Sequence, residues 1–240
     1  MLQGKYNLSD NSFVNNHADK YGGAMVNLAY YYVNMTNCLF ENNSALYGGA
    51  IYNVYDSLNI TYSNFTSNHA SYGGALCYIF NDTMISQLQY TTNVEYNSPN
   101  SIKNSLFESN TAGEGSVLYV IKSNIQFNEN VLYNKNVNDN LISIKENASV
   151  DIDDNWWGIN NPNFGVITGG VIPETWIVMN LTNTSTSTNP INLKVSLNTL
   201  NNLKQFKGNI PQRIVKFTAS TGTFKINQTK INKTVTNIYI

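Results

Sequence analysis

Two histidines, His17 and His69, each follow the asparagine of a recurring short motif and so hold the same place in it. Imidazole is the commonest metal ligand, and paired histidines at one phase invite a metal reading. If the motif recurs once per turn of a stacked fold, the two rings stand two turns apart, about 10 Å. One ion with ligands near ~2 Å cannot join them, so they read as exposed corner residues. Asp151, Asp153 and Asp154 form the densest group of carboxylates. On a strand Asp151 and Asp153 share a face while Asp154 points away. A calcium site built on all three therefore needs a bend there, and surface solvation is the simpler reading. Cys38 and Cys77 are the only thiols. They make no disulfide framework and read as small buried apolar residues.

Catalysis on polysaccharides needs either a base beside an always-charged cation or two facing carboxylates. The only arginine, Arg213, lies outside the repeated part of the chain, and the six lysines within 1–172 show no clustering at the repeat phase. Phosphate-binding glycine loops, serine elbows and His-Glu-x-x-His patterns are absent. The reading is therefore of no enzyme: no catalytic residue, no cofactor or cofactor-binding residue, no metal ligand. A carbohydrate-active enzyme remains the alternative, since facing carboxylates can come from distant positions. Trp156 and Trp157, with Tyr30, Tyr31 and Tyr32, offer flat faces for sugars or a partner protein. Adjacent strand residues point to opposite sides, so at least one tryptophan should bury into the end of the core as a cap. The tyrosine run is the better candidate for an exposed patch.

Of 240 residues, 42 are Asn, with 20 Ser and 20 Thr, and only 12% are charged. Asn disfavours helix interiors and tolerates the left-handed conformation of tight turns, so the chain needs many turns. Aromatics at 12% separate it from disordered sequences. Low charge excludes a charge-driven nucleic-acid binder. No apolar run long enough to span a membrane is present, and Met1 to Asp10 holds no apolar signal-peptide core. The charge is divided: Met1 to Thr175 carries 6 basic and 15 acidic residues, and Trp176 to Ile240 carries 8 basic and no acidic ones. That shift places a domain boundary near Pro173, between 1–172 and 173–240. Asn-x-Ser/Thr occurs 11 times, a mild excess over the roughly 7 that composition gives.

The elements that would position any site are repeats. Phe-x-x-Asn occurs at Phe13 to Asn16, Phe40 to Asn43, Phe65 to Asn68, Phe107 to Asn110 and Phe127 to Asn130, and four copies are followed by Ala18, Ala45, Ala70 and Ala112. Tyr-Gly-Gly-Ala plus an apolar residue follows three times, at Tyr21, Tyr47 and Tyr72, and decays to Glu114-Gly115-Ser116-Val117. The phenylalanines are 27, 25, 42 and 20 residues apart. The 42-residue gap is about two periods, so a coil between Cys77 and Asn100 either lost its signature or carries an excursion. Periods this short exclude paired helices; the segments read as short strands bounded by Asn, Asp or Gly. A parallel β-helix fits, with about seven coils and a length on the order of 35 Å. Each Phe would stack on the next. Each motif Asn would sit in a left-handed corner and bond its neighbours in a ladder. The paired glycines would permit sharp corners or close backbone approach.

Phe-x-x-Asn combined with Gly-Gly-Ala-[Ile/Leu/Met] resembles the polymorphic outer membrane protein repeat of bacterial surface adhesins and of the adhesin-like proteins of methanogenic archaea, over roughly Ser12 to Asn130. Asp154-Asn155-Trp156-Trp157-Gly158 is similar to the Asn-Trp-Trp-Gly motif that follows the β-helix in the archaeal group. The segment from Trp176, with alternating Ile177, Met179, Leu181 and Leu193, Val195, Leu197 and the run Phe217 to Phe224, resembles an Ig-like module of such proteins, too short for a full sandwich. The resemblance implies an all-β chain: a right-handed parallel β-helix followed by a partial Ig-like β-sandwich, displayed outside the cell at its surface or envelope. It implies adhesion to surface glycans or proteins of other cells or to matrix, with no nucleic acid and no transmembrane segment. A purely structural envelope component is the other noncatalytic reading.

Overall fold

A computed structural model of the chain describes residues 4–28, 31–54, 57–80, 100–133, 140–186, 190–220 and 222–239. Its first coil holds β1 (Gly4–Ser9), β2 (Ser12–Val14) and β3 (Met25–Leu28). The second holds β4 (Tyr31–Thr36), β5 (Leu39–Glu41), β6 (Ser44–Tyr47) and β7 (Ile51–Val54). The third repeats it with β8 (Leu58–Thr61), β9 (Asn64–Thr66), β10 (His69–Tyr72) and β11 (Leu76–Ile79). The fourth adds β12 (Asn100–Lys103), β13 (Leu106–Glu108), β14 (Thr111–Glu114) and β15 (Leu118–Ile121). β16 (Asn124–Asn128), β17 (Val131–Tyr133), β18 (Ile142–Lys145), β19 (Ser149–Asp151) and β20 (Ile167–Thr168) close the stack.

Every strand pairs in parallel with its equivalent one coil away. Sheet A is β1-β4-β8-β12-β16-β19, sheet B is β2-β5-β9-β13-β17, sheet C is β6-β10-β14 and sheet D is β3-β7-β11-β15-β18-β20. The result is a parallel β-solenoid of about five turns, roughly 24 Å at the spacing of paired strands, rather than the expected seven. The 42-residue gap explains the difference. Ile60 pairs directly with Ile102 and Leu76 with Leu118, so this gap is a single coil and the excursion reading holds. Residues 81–99 lie outside the described residues.

Three kinds of stacking hold the coils. Phe13, Phe40, Phe65 and Phe107 stack on sheet B with centroids 4.8, 4.8 and 5.0 Å apart and interplanar angles of 7° or less. Burying each such ring is worth about 2–3 kcal/mol. The fifth motif does not join them. Phe127 lies in sheet A opposite Ile102, inward from a different wall, and meets Phe107 only at a tilt of 45°. The motif therefore repeats four times in phase and once displaced.

The second stack is the asparagine ladder, and its geometry departs from expectation. The left-handed residues are the ones before the motif asparagines, Asn15, Asn42, Ser67 and Ser109, with φ of 54° to 59°. A left-handed corner turns its own side chain outward. The asparagine after it, back on the allowed side of φ, reaches inward and is buried at positions 43, 68 and 110. There Nδ2 donates to the Oδ1 of the next coil: Asn16 to Asn43 at 2.8 Å, Asn43 to Asn68 and Asn68 to Asn110 at 2.9 Å. A parallel ladder runs at the corner between sheets A and B. Ser63 Oγ accepts from Cys38 N, Ser105 Oγ from Ser63 N, Asn130 Oδ1 from Ser105 N and Asn155 Oδ1 from Asn130 N, at 2.8 to 3.1 Å. Displaced Asn130 belongs to this second ladder.

The glycine pairs form the third. Gly22, Gly48, Gly73 and Gly115 have positive φ, and the second glycine of each pair lies against the next coil's backbone. A Cβ on Gly49 would sit 2.2 Å from the carbonyl oxygen of Gly74.

Beyond the solenoid, β21 (Ile177–Asn183), β22 (Ile191–Leu200), β23 (Arg213–Lys216), β24 (Gln228–Ile231) and β25 (Thr234–Tyr239) form two antiparallel sheets, β21-β22-β25 and β23-β24. Phe217 and Phe224, the ends of the aromatic run, lie outside the named strands, and their rings meet at 5.3 Å. The core of this region takes in Val131 and Trp156 of the solenoid together with Ile177, Val195, Leu197 and Phe206. The C-terminal region thus packs on the outer face of sheet B rather than standing off the end. The only helix among the described residues is one 3-10 turn, Phe164–Val166.

Candidate binding surface

The polar wall is sheet A. Its inward residues, Met35, Ile60, Ile102, Phe127 and Val33, are buried in the solenoid core. The alternate residues face out, because side chains on a strand alternate. They form two columns in register: Asn7, Asn34, Asn59, Ser101, and beside it Ser9, Thr36, Thr61, Lys103. Asn59 Nδ2 donates to Asn34 Oδ1 at 3.1 Å, Asn34 Nδ2 donates to Asn7 Oδ1 at 3.0 Å, and the hydroxyls of Thr36 and Thr61 lie 3.1 Å apart. These bonds fix the amides and hydroxyls at strand spacing and leave their remaining hydrogen-bonding capacity to solvent. Such a surface is pre-ordered, so a polar partner loses little protein entropy on docking.

Part of the second coil, outside sheet A, can be compared with known proteins. Residues 37–54 match the Chlamydia polymorphic membrane protein repeat. The repeat so matched runs from the corner at Asn37 through the stacked Phe40, the ladder residue Asn43 and the Gly48-Gly49 pair to the end of β7. No curated protein and no solved structure matches the chain. The other coils carry the repeat's features at in-register positions: Phe65 pairs with Phe40, Ala70 with Ala45 and Leu76 with Ile51.

His17 and His69 stand in one column with Ser44 between them, two coils apart. Each ring is tied to a hydroxyl of the following coil, His17 Nδ1 to Ser44 at 2.9 Å and His69 Nδ1 to Thr111 at 2.8 Å. No group of three or more His, Cys, Asp or Glu is placed to hold a metal ion among the described residues. Asp153 and Asp154 accept hydrogen bonds from the segment that follows the last coil. Asp153 Oδ1 accepts from the amides of Glu174 and Thr175, and Asp154 Oδ1 accepts from the Thr175 hydroxyl, at 2.6, 3.1 and 2.7 Å. Asp153 and Asp154 so fasten the chain as it leaves the last coil, and Asp151 is exposed. Cys38 and Cys77 are free and buried in separate clusters, and burial pushes the Cys77 thiol well up.

The two tryptophans part company. Trp157 enters the solenoid core and meets Phe164 edge-on at 5.4 Å, while Trp156 enters the C-terminal core under the Arg213 guanidinium, 4.8 Å away. Both are thus used in packing. Tyr30 lies outside the described residues, and the Tyr31 side chain does too.

Sequence reasoning missed a tyrosine column. Tyr47 and Tyr72, which begin the Gly-Gly motifs, stack at 5.0 Å, and Tyr21, Tyr52 and Tyr119 join them over the outside of sheet D. The signal was available: Tyr precedes Gly-Gly in the same three copies. Burial pushes the Tyr52 phenol up, helped by Cys77, Tyr21 and Tyr47, so the Tyr52 ring packs as a neutral group.

Proposed function

We propose that the chain is a noncatalytic, adhesin-like protein of the cell surface, its solenoid a right-handed β-helix and its C-terminal region a partial Ig-like module related to those of the archaeal adhesin-like proteins. The observation that carries this reading is the outer face of sheet A, where fixed amide and hydroxyl columns recur at one spacing on a scaffold closed by stacked aromatics. The repeat match at residues 37–54 supports it, since that repeat takes its name from membrane proteins. No helix among the described residues is long and apolar enough to cross a membrane.

The test is a binding isotherm of the fluorescently labelled chain on cells and on immobilised glycans. Saturable binding that is lost when Asn34 and Asn59 are both replaced by Lys is the expected result. Binding that never saturates leaves a structural envelope role instead. In parallel, the chain is incubated with acidic and neutral polysaccharides. New reducing or unsaturated ends, above those of a heat-denatured control, would overturn the noncatalytic reading.

A further inference from the structure

The corner between sheets A and B is a column of six left-handed residues: Asp10, Asn37, Tyr62, Asn104, Glu129 and Asp154, with φ of 51° to 59°. Five are Asp, Asn or Glu. Tyr62, at φ 51°, is the exception, and the residue is 49% exposed. A bulky residue held at positive φ stores strain, and strained residues gather at functional sites.

The C-terminal region fastens onto the later part of this column. Glu129 Oε2 accepts from Asn104 Nδ2 and from the Asn209 amide, each at 2.9 Å, and Asp154 holds Thr175. At Tyr62 and Asn37 the two surfaces part, leaving a cavity of about 420 Å³. That volume lies in the range of small-molecule sites. The solenoid supplies Asn37, Tyr62 and Asn64, and the C-terminal region supplies Gln212, Arg213 and Lys230. Asn37 also donates its amide to Asp10.

The cations decide the ligand's charge. Neither Arg213 nor Lys230 forms an ion pair among the described residues. Arg213 rests on Trp156, and its buried Nε has no hydrogen-bond partner. Burial pushes its guanidinium down to about 10, which leaves it charged at neutral pH. A desolvated cation without an anion is costly, and an anion bound there removes that cost. Beside the cations stand a flat exposed ring and three side-chain amides, the partners for an apolar sugar face and its hydroxyls.

We propose that this cavity binds the end of an acidic saccharide, the carboxylate taken by Arg213 and Lys230, one ring face laid on Tyr62, and hydroxyls bonded by Asn37, Asn64 and Gln212. The proposal deepens the surface-binding reading and rests on it only for the origin of the saccharide on another cell or matrix.

The test is calorimetric titration of the full chain with a galacturonic acid trimer, sialyllactose and a glucuronate-containing heparosan tetramer, beside neutral galactose trimer, lactose and inorganic sulfate. At least one acidic probe should bind saturably, weakening as salt is raised, with the neutral sugars at least tenfold weaker. Tyr62→Asn should lower that affinity tenfold or more while leaving the melting temperature unchanged or higher, because Asn suits the left-handed corner; Lys230→Glu should do at least as much. Three results would each overturn the proposal: no saturable binding of any acidic probe, equal binding of the neutral sugars, or unchanged affinity in both variants. Sulfate bound as tightly as the best saccharide overturns it in favour of a bare anion site. Cell binding retained alongside failure of all acidic probes removes the pocket and leaves the surface reading standing; loss of cell binding with the probes still bound does the reverse.

Discussion

Gly49→Ala is expected to destabilise the chain by about 3 kcal/mol or more, the range of severe overpacking. Its new Cβ would lie 2.2 Å from Gly74 O and 2.5 Å from His69 O, both backbone atoms of the next coil. Neither can yield without moving a strand. Gly49 N also donates to Gly73 O at 2.9 Å, so the displacement would stretch a stacking bond as well. For a domain of this size each kcal/mol shifts the melting temperature by about 2–4 °C, so a fall of roughly 6–12 °C should be read by thermal unfolding. Gly113→Ala is the control: its Cβ comes nearest to Ser71 O, at 3.1 Å, and the backbone there has no positive φ. A loss at Gly113 as large as that at Gly49 would mean that close coil approach is not what the glycine pairs provide.

Asn68→Ala should cost nearly as much, about 2–4 kcal/mol. Asn68 is 0% exposed and makes four side-chain hydrogen bonds. Its Oδ1 accepts from Asn43 N and Nδ2, and its Nδ2 donates to Phe40 O and Asn110 Oδ1, all at 2.9 to 3.0 Å. Truncation leaves Asn43 N and Phe40 O in the core without these partners, and each orphaned buried group costs about 1–3 kcal/mol. Asn34→Ala, in the solvent-facing ladder, should cost less than about 1 kcal/mol because water takes over its bonds. Equilibrium urea unfolding of the two variants separates them. Equal losses would show that the buried ladder is no more than surface decoration of the corner.

Much of this architecture was legible because stacking makes each coil repeat the demands of the last. The in-register Phe column, the amide ladder and the need for Gly-Gly followed from four phased copies of one motif. The misplacement of Phe127 has a physical reason: sheet A also points an apolar residue inward, and Phe serves there as well as Ile. The spacing carried the warning, since Phe127 follows Ile102 by the usual 25 residues and Phe107 by only 20. The left-handed positions were set one residue late because Asn-Asn pairs at 15–16 and 42–43 do not say which member turns; Ser67 and Ser109 do, being the outward residues. The coil number depended on whether the longest gap added a strand to the stack, which only pairing could decide. The pocket was not legible at all. It joins Tyr62 to Arg213 across most of the sequence, through a C-terminal region that folds back along the solenoid's corner.

The unbroken stack across the 42-residue gap underlies the ladders, the polar face and the pocket alike. Thr61 and Lys103 are in-register neighbours on β8 and β12, and Asn128 is the next in line on β16. Neighbouring strands place paired residues about 4.8 Å apart, and a second neighbour about 10 Å away. A disulfide spans about 4.4–6.8 Å between Cα atoms. The double variant Thr61→Cys with Lys103→Cys should therefore close a disulfide on mild oxidation, detected by mass spectrometry of the digested chain, while Thr61→Cys with Asn128→Cys should not. A bridge in the second pair and none in the first would contradict the stacking.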